Sequence, residues 1–249
     1  VITIKSKDEL ELMRKAGRVV GEALVELGRR VKPGATTEEL DKFAYDFFTK
    51  RGCVPAFKGY HGYPSTICTS VNEEVVHGMP GKRALKEGDV VGVDIGAYYK
   101  GYCGDSARTF AVGKIAPEAK KLLEVTAKAL DKGLEQCRVG NRISDIGHAV
   151  QQYVEPFGYS VVKDYVGHGI GQAMHEEPQV PNYGKPHQGP KLVAGMCLAL
   201  EPMVNIGGEE VRVLEDGWTV VTKDGKWSAH FEDTVAILPG GPEILTRVS

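Results

Sequence analysis

The chain has 249 residues, of which 42% are hydrophobic and 26% charged, the composition of a soluble globular protein with a sizeable core. Its 31 basic and 33 acidic residues leave a formal charge of −2, so there is no broad positive field for DNA or an anionic membrane. The five cysteines are odd in number and form no C-x-x-C pair, which excludes a disulfide framework or thiolate zinc site and fits a reducing cytoplasm; no secretion signal opens the chain, and no apolar run approaches the roughly 18 residues of a membrane span.

Ser6-Lys7-Asp8-Glu9 has the form of a capping box, and Leu10, Met13, Gly17, Val20, Leu24 and Leu27 follow at helical spacing, predicting a helix over about 7–30. Pro33-Gly34 breaks the chain, and Thr36 with Glu39 caps a second helix that ends before Gly52. Val90-Val91-Gly92-Val93-Asp94-Ile95 and the run through Thr109 to Val112 read as a β-hairpin centred on the Tyr99-Lys100 turn. Pro117 then opens a third helix, and Ser144 is the expected cap of a fourth that ends near Gly158. One shift superposes Ala23-Leu24 on Ala129-Leu130, Gly34 on Gly140, Leu40 on Ile146 and Gly52 on Gly158, which points to duplicated halves of a single domain, about 1–113 and 114–249. From Met196 to about Leu238 the chain reads as antiparallel strand, with Asp216-Gly217 and Asp224-Gly225 as hairpin turns. The expected class is α+β, with helices backing a curved, mainly antiparallel sheet.

Five residues carry the chemistry. Asp94 and Asp105 lie on the two hairpin arms, directly or diagonally opposed and on one face, where like charges repel unless a cation or proton sits between them. His168 is flanked by Gly167 and Gly169, which lets other backbone pack closely beside its ring. Glu201, in Leu198-Ala199-Leu200-Glu201-Pro202, and Glu232, in His230-Phe231-Glu232-Asp233, are ionisable groups inside apolar strand with few basic neighbours in sequence. Four carboxylates and one imidazole suit two divalent metal ions better than one, and such a pair activates water for hydrolysis. Oxygen-rich sites of this kind accept cobalt, manganese, iron, zinc or nickel.

The order Asp94, Asp105, His168, Glu201, Glu232 combines with Asn72-Glu73-Glu74-Val75-Val76-His77-Gly78, Val166-Gly167-His168-Gly169-Ile170-Gly171, His175-Glu176-Glu177-Pro178 and Glu201-Pro202. In these motifs, and essentially end to end, the chain resembles the methionyl aminopeptidases of the M24 metallopeptidases. The short spacing between His168 and Glu201 and the lack of zinc-finger cysteines match the type I form. The resemblance implies the duplicated pita-bread (creatinase/aminopeptidase) fold and removal of the initiator methionine when the second residue is small. It further implies that Asp105 and Glu232 bridge two metals, Asp94 completes one site, and His168 with Glu201 completes the other. Glu201 would shuttle the proton, His175 would donate to the oxyanion, and His77 would position the peptide. Tyr60, Tyr63, Cys68 and Trp218 would form the methionine pocket. Two positions depart from the family pattern, since Met174 stands where phenylalanine is common and Phe57 where cysteine is common. A monovalent cation, sodium or potassium, is implied near Asn72 and Ser228, with nascent polypeptides and the ribosome as partners of a monomer. The rival readings are a proline-directed aminopeptidase or prolidase of the same fold, a binding module of that fold without catalysis, and a structural protein whose carboxylates pair with basic residues.

Overall fold

The computed structural model describes residues 1–248. Helix α1 (Lys7–Gly28) opens on the expected capping box, with the Glu9 N–H donating to Ser6 Oγ (3.3 Å) and the Ser6 N–H to Glu9 Oε2 (2.7 Å). Thr36 and Glu39 repeat the arrangement for α2 (Thr37–Lys50), at 3.3 and 2.8 Å. Five strands follow: β1 (Val54–Pro55), β2 (Ile67–Val71), β3 (Glu74–Val76), β4 (Val90–Tyr99) and β5 (Tyr102–Ala111). Leu24, Leu27, Leu40 and Phe48 of the helices bury against Val91, Val93 and Ile95 of β4, which is where the helical and alternating patterns of the sequence meet.

The second half repeats two helices before strands, with α3 (Pro117–Glu135) and α4 (Ile143–Val154). Ser144 does not cap α4, as expected from sequence, but lies inside its first turn. Arg142 is the cap residue, its N–H donating to the Asp145 carboxylate (2.7 Å), while the Ser144 hydroxyl accepts from the Gln188 N–H (2.6 Å). The charged acceptor takes the capping role and the hydroxyl anchors a loop. The strands are β6 (Ser160–Val161), β7 (Gly167–Gly169), β8 (Glu176–Val180), β9 (Cys197–Leu200), β10 (Met203–Asn205), β11 (Val211–Val213), β12 (Val220–Thr222), β13 (Ser228–His230), β14 (Asp233–Leu238) and β15 (Gly241–Ile244). Leu130, Leu134 and Ile146 pack on Leu198, Leu200 and Val235, and Leu122 and Val150 on Val204.

As expected, the strands are antiparallel and backed by the helices; among the described residues they are hydrogen-bonded as four short sheets of four, three, three and five strands. The turn of the β4–β5 hairpin is Lys100-Gly101, with φ of 47° and 83°, one residue later than the sequence suggested. Asp94 therefore pairs with Ala107 and Asp105 with Gly96, which sets the two carboxylates diagonally on one face. Asp216-Gly217 closes the β11–β12 hairpin, but Asp224-Gly225 closes none, because β13 pairs with β10 instead of β12. Asp224 spends its carboxylate on the N–H groups of Gly208 (2.9 Å) and Lys226 (3.0 Å), pinning a crossover between sheets. The chain also turns once more past Leu238, through Pro239-Gly240, to add β15.

Glu201 and Glu232 do not sit within strands. β9 pairs with β14 and β10 with β13 in one continuous register, interrupted at Glu201-Pro202 and Phe231-Glu232, so the two glutamates fall opposite each other in the gap. Proline has no N–H to give the ladder, and the break turns both side chains toward β5. There Glu232 forms an isolated antiparallel bridge with Ala107. On either side of that bridge a threonine hydroxyl replaces direct backbone pairing. Thr234 Oγ1 accepts from the Asp105 N–H (3.0 Å) and donates to the Asp105 carbonyl (2.7 Å). Thr109 Oγ1 does the same for His230, at 2.9 and 3.0 Å. This seam joins the two halves of the chain and carries Asp105 and Glu232 on its two edges.

Thr234→Val keeps the side-chain shape but leaves a buried N–H and a buried carbonyl of Asp105 unpaired. Urea unfolding of the metal-free protein should show a loss of about 2 to 4 kcal/mol, whereas Thr234→Ser should stay within about 1 kcal/mol. Equal losses for the two variants would mean that the hydroxyl is not what holds the seam.

Candidate active site

The eleven residues singled out from the sequence all line one cavity of about 290 Å3: Asp94, Asp105, His168, Glu201 and Glu232, with His77 and His175, and with Tyr60, Tyr63, Cys68 and Trp218. A wider groove of about 600 Å3 between α1 and α2 is edged by surface side chains such as Glu22 and Arg51, themselves ion-paired at 3.7 Å, and gathers no buried ionisable set.

His168 is placed by close backbone approach. A Cβ at Gly167 would lie 2.3 Å from the Ala199 carbonyl of β9, and one at Gly169 only 2.2 Å from the Glu177 carbonyl of β8, so no larger residue fits on either side of the histidine. The Nδ1–H of His168 donates to the Gly169 carbonyl (2.8 Å), which leaves the Nε2 lone pair facing Glu201 Oε1 at 3.4 Å and Asp105 Oδ2 at 3.9 Å. Burial lowers the imidazole's pKa to about 4, so it is neutral at physiological pH. One ligand atom each from Asp105, His168 and Glu232 lies within 4.8 Å of the others.

The carboxylates have no other partners for much of their surface. Asp94 Oδ1, Asp105 Oδ1 and Glu232 Oε1 are buried without any hydrogen bond. Burial pushes all four carboxyl groups upward, and repulsion from the others adds to it for Asp105, Glu201 and Glu232. Nearby arginine does not relieve this. Arg108 Nη2 pairs with Asp233 Oδ1 (2.6 Å) and Arg247 Nε with Asp233 Oδ2 (2.8 Å), so both guanidinium groups are spent on the fully buried neighbour of Glu232. Orphaned acceptor oxygens around a neutral imidazole nitrogen are the donor set of a divalent cation site, and the reading of these carboxylates as structural ion-pair partners does not fit them.

His175 and His77 stand on the rim. His175 packs its ring edge-on against His168, with centroids 4.3 Å apart, and its Nδ1 hydrogen-bonds the Tyr60 hydroxyl at 2.8 Å, leaving Nε2 free of protein partners. His77 has φ of 60° and lies edge-on to Tyr165 at 5.5 Å, and burial lowers its pKa to about 4. The apolar wall is built from Tyr63, which donates to the Ile67 carbonyl (2.9 Å) and meets Trp218 edge-on at 5.0 Å, and from Cys68, which pairs with Asp94 across β2 and β4. Phe57 and Met174, the two departures from the family pattern, are both buried in this wall. Asn72 and Ser228 are also brought together, the Ser228 N–H donating to the Asn72 carbonyl at 3.0 Å.

Sequence reasoning missed two histidines. His61 lines the cavity beside Tyr60, and the buried His230 brings Nε2 to 3.9 Å from Glu232 Oε2. The His-Phe-Glu spacing was the available signal for His230, since alternate residues at a strand end share a face.

Residues 11–239 match the model of metallopeptidase family M24. A methionine aminopeptidase of Clostridium acetobutylicum is 58% identical over 247 residues, 99% of each chain. The crystal structure of a methionine aminopeptidase from Thermotoga maritima superposes with a TM-score of 0.98 at 48% identity, covering 100% of both chains. A prolidase from Pyrococcus horikoshii shares the fold, with a TM-score of 0.80 at 23% identity over 99% of this chain and 64% of its own. The duplicated pita-bread architecture is thus common to aminopeptidase and prolidase, while full-length sequence identity separates them. The chain belongs to metallopeptidase family M24, among its methionine aminopeptidases.

Proposed function

We propose that this chain hydrolyses the peptide bond after an N-terminal methionine when the next residue is small, and that nascent polypeptides are its substrates. The observation that carries this reading is the shape of the single cavity, with orphaned carboxylate oxygens and one imidazole nitrogen at its floor and an apolar aromatic wall beside them. The donor set would suit two divalent ions, to which Asp105 and Glu232 would both contribute, with Asp94 as a further ligand of one and His168 and Glu201 of the other. Bound there, the ions would supply Lewis acidity that makes water a nucleophile near neutral pH and polarises the scissile carbonyl. A monovalent cation near Asn72 and Ser228 belongs to the same reading.

The protein's own groups do the rest. Glu201 is raised in pKa by burial and by its carboxylate neighbours, which suits it to take a proton from water and return it to the leaving amine. The Tyr60 hydroxyl bonds His175 Nδ1, and with that hydroxyl donating, the Nε2–H is left to point a proton at the developing oxyanion. His77, neutral at physiological pH, hydrogen-bonds the peptide beyond the scissile bond. Tyr63, Cys68 and Trp218 offer aromatic edges and a soft thiol to a thioether.

Three measurements test this function. Turnover of Met-Ala-Ser by the metal-loaded protein should fall roughly 100-fold or more in Asp105→Asn or Glu232→Gln, while the metal-free variants melt no lower than wild type because a repelling charge has gone. Near-normal turnover at saturating metal would remove the bridging assignment. His175→Ala should lose about 100-fold in kcat with metal content unchanged, and a loss confined to KM would make the residue a uniform substrate contact. In competition, Met-Ala- peptides should be preferred over Leu-Ala- and Met-Lys- by roughly 10 to 200-fold, with X-Pro peptides uncut. Equal rates on all of them would discard methionine selectivity and leave only a metallohydrolase.

A further inference from the structure

His175 lies on an irregular loop, Gly171–His175, between β7 and β8, and is followed at once by Glu176. Such a segment has no ladder of its own, so something else must fix it to within the fraction of an ångström that a transition-state donor requires. The Met174 N–H donates to the Tyr98 hydroxyl (3.0 Å), the Gly171 carbonyl accepts from the Cys103 N–H (2.8 Å) and Tyr60 bonds His175 itself, and the residues before α1 supply a further, charged fixing. Lys5 is only 7% exposed, and its Nζ donates to Glu176 Oε2 at 2.6 Å and to Thr3 Oγ1 at 2.6 Å, while the Thr3 hydroxyl itself donates to Glu176. The other carboxylate oxygen, Glu176 Oε1, accepts from the Ala173 N–H (3.3 Å) within the loop. This ion pair presses directly on the loop's first residue. A Cβ at Gly171 would lie 2.5 Å from Glu176 Oε1 and 2.6 Å from Lys5 Cε. The arm is anchored in turn, with the Lys5 N–H donating to the Gly195 carbonyl at 2.8 Å. A second line runs in parallel from α1, where Glu9 Oε1 accepts from Tyr102 and the Tyr102 hydroxyl accepts from Gln172 Nε2, at 2.7 and 2.9 Å.

We infer that Lys5 is a positioning residue, and that its buried ion pair with Glu176 straps the Gly171–Glu176 loop so that His175 faces the cavity. The inference rests on the reading of His175 as the oxyanion donor. Lys5 touches no part of the cavity lining, so its effect on catalysis passes through the loop and not through substrate.

The test uses the full chain loaded with manganese, with Lys5→Met and the paired variant Lys5→Met/Glu176→Gln. The pair removes both charges, keeps an acceptor for Ala173, and leaves no lone buried carboxylate to block folding. We expect kcat on Met-Ala-Ser to fall roughly 10- to 100-fold with KM changed less than about threefold. In a His175→Ala background the same change should cost nothing further, because the group being positioned is gone. Amide hydrogen exchange of residues 171–176 should accelerate, with the amides of β9 and β14 unchanged. Equal kcat losses in both backgrounds, or unaltered exchange in the loop, would overturn the inference. If His175→Ala itself retains full kcat, the catalytic reading of His175 fails, and the exchange result alone still decides whether the strap exists.

Discussion

Four carboxyl groups meeting in one small cavity repel each other, and the rest of the architecture can be understood as the means of holding them there. No lysine or arginine reaches their carboxyl oxygens, and the two nearest bases, His168 and His230, are kept neutral by burial. Ionised together, the four carboxylates would hold unfavourable electrostatic energy at this point, which is relieved either by protons or by cations of higher charge density. A site of this kind is selective for its occupant before any question of catalysis arises, because what stabilises it must carry positive charge and accept oxygen ligands.

The scaffold resists the repulsion with backbone more than with side-chain packing. Asp94 and Asp105 are fixed by the register of a long hairpin, and Glu201 and Glu232 by the gap in a second one. Between the hairpins stand Thr109 and Thr234, each satisfying one N–H and one carbonyl where the strands are too far apart to pair directly. Asp233 adds a second support, pairing with Arg108 and Arg247, and Arg108 reaches Glu232 only at its main-chain carbonyl and not at its carboxylate. Asp94 and Asp105 are thereby carried inside two long paired strands, and Glu201 and Glu232 in the gap of a paired ladder, while the histidines on the rim are carried on turns and a loop.

Legibility in the sequence followed the range of the interactions involved. Ser6 with Glu9 and Thr36 with Glu39 are local devices, and both helices begin where those residues say they do. The β4–β5 hairpin could be read from its β-branched run, although its turn lay one residue further on because the left-handed pair is Lys100-Gly101. Strands of two or three residues, such as β6, β7 and β10, carry too short a pattern to be seen, so the antiparallel sheet was legible and its division into four short ladders was not. Asp224-Gly225 has the composition of a hairpin turn yet spans two sheets, since partner choice is decided by residues far away. The metal-ligating candidates were visible because acids in apolar surroundings are conspicuous. Lys5 was invisible for the opposite reason, as a lysine near a chain start looks like any solvated charge until its carboxylate partner, distant in sequence, is placed beside it.

The seam has a consequence for assembly. Its threonine bonds join residues 121 and 129 positions apart, whereas the β4–β5 hairpin closes directly over Lys100-Gly101. Separate apolar clusters lie under each pair of helices, and another spans the chain, with Leu10, Met13 and Tyr102 packed among Ile170, Cys197 and Leu245, so the entropy of closing the large loop between β5 and β14 is offset by packing as well as by the seam. The candidate metal ligands are divided across the seam, with Asp94 and Asp105 on one side and His168, Glu201 and Glu232 on the other. A cation held by both sets would add its binding free energy to the joining of the two.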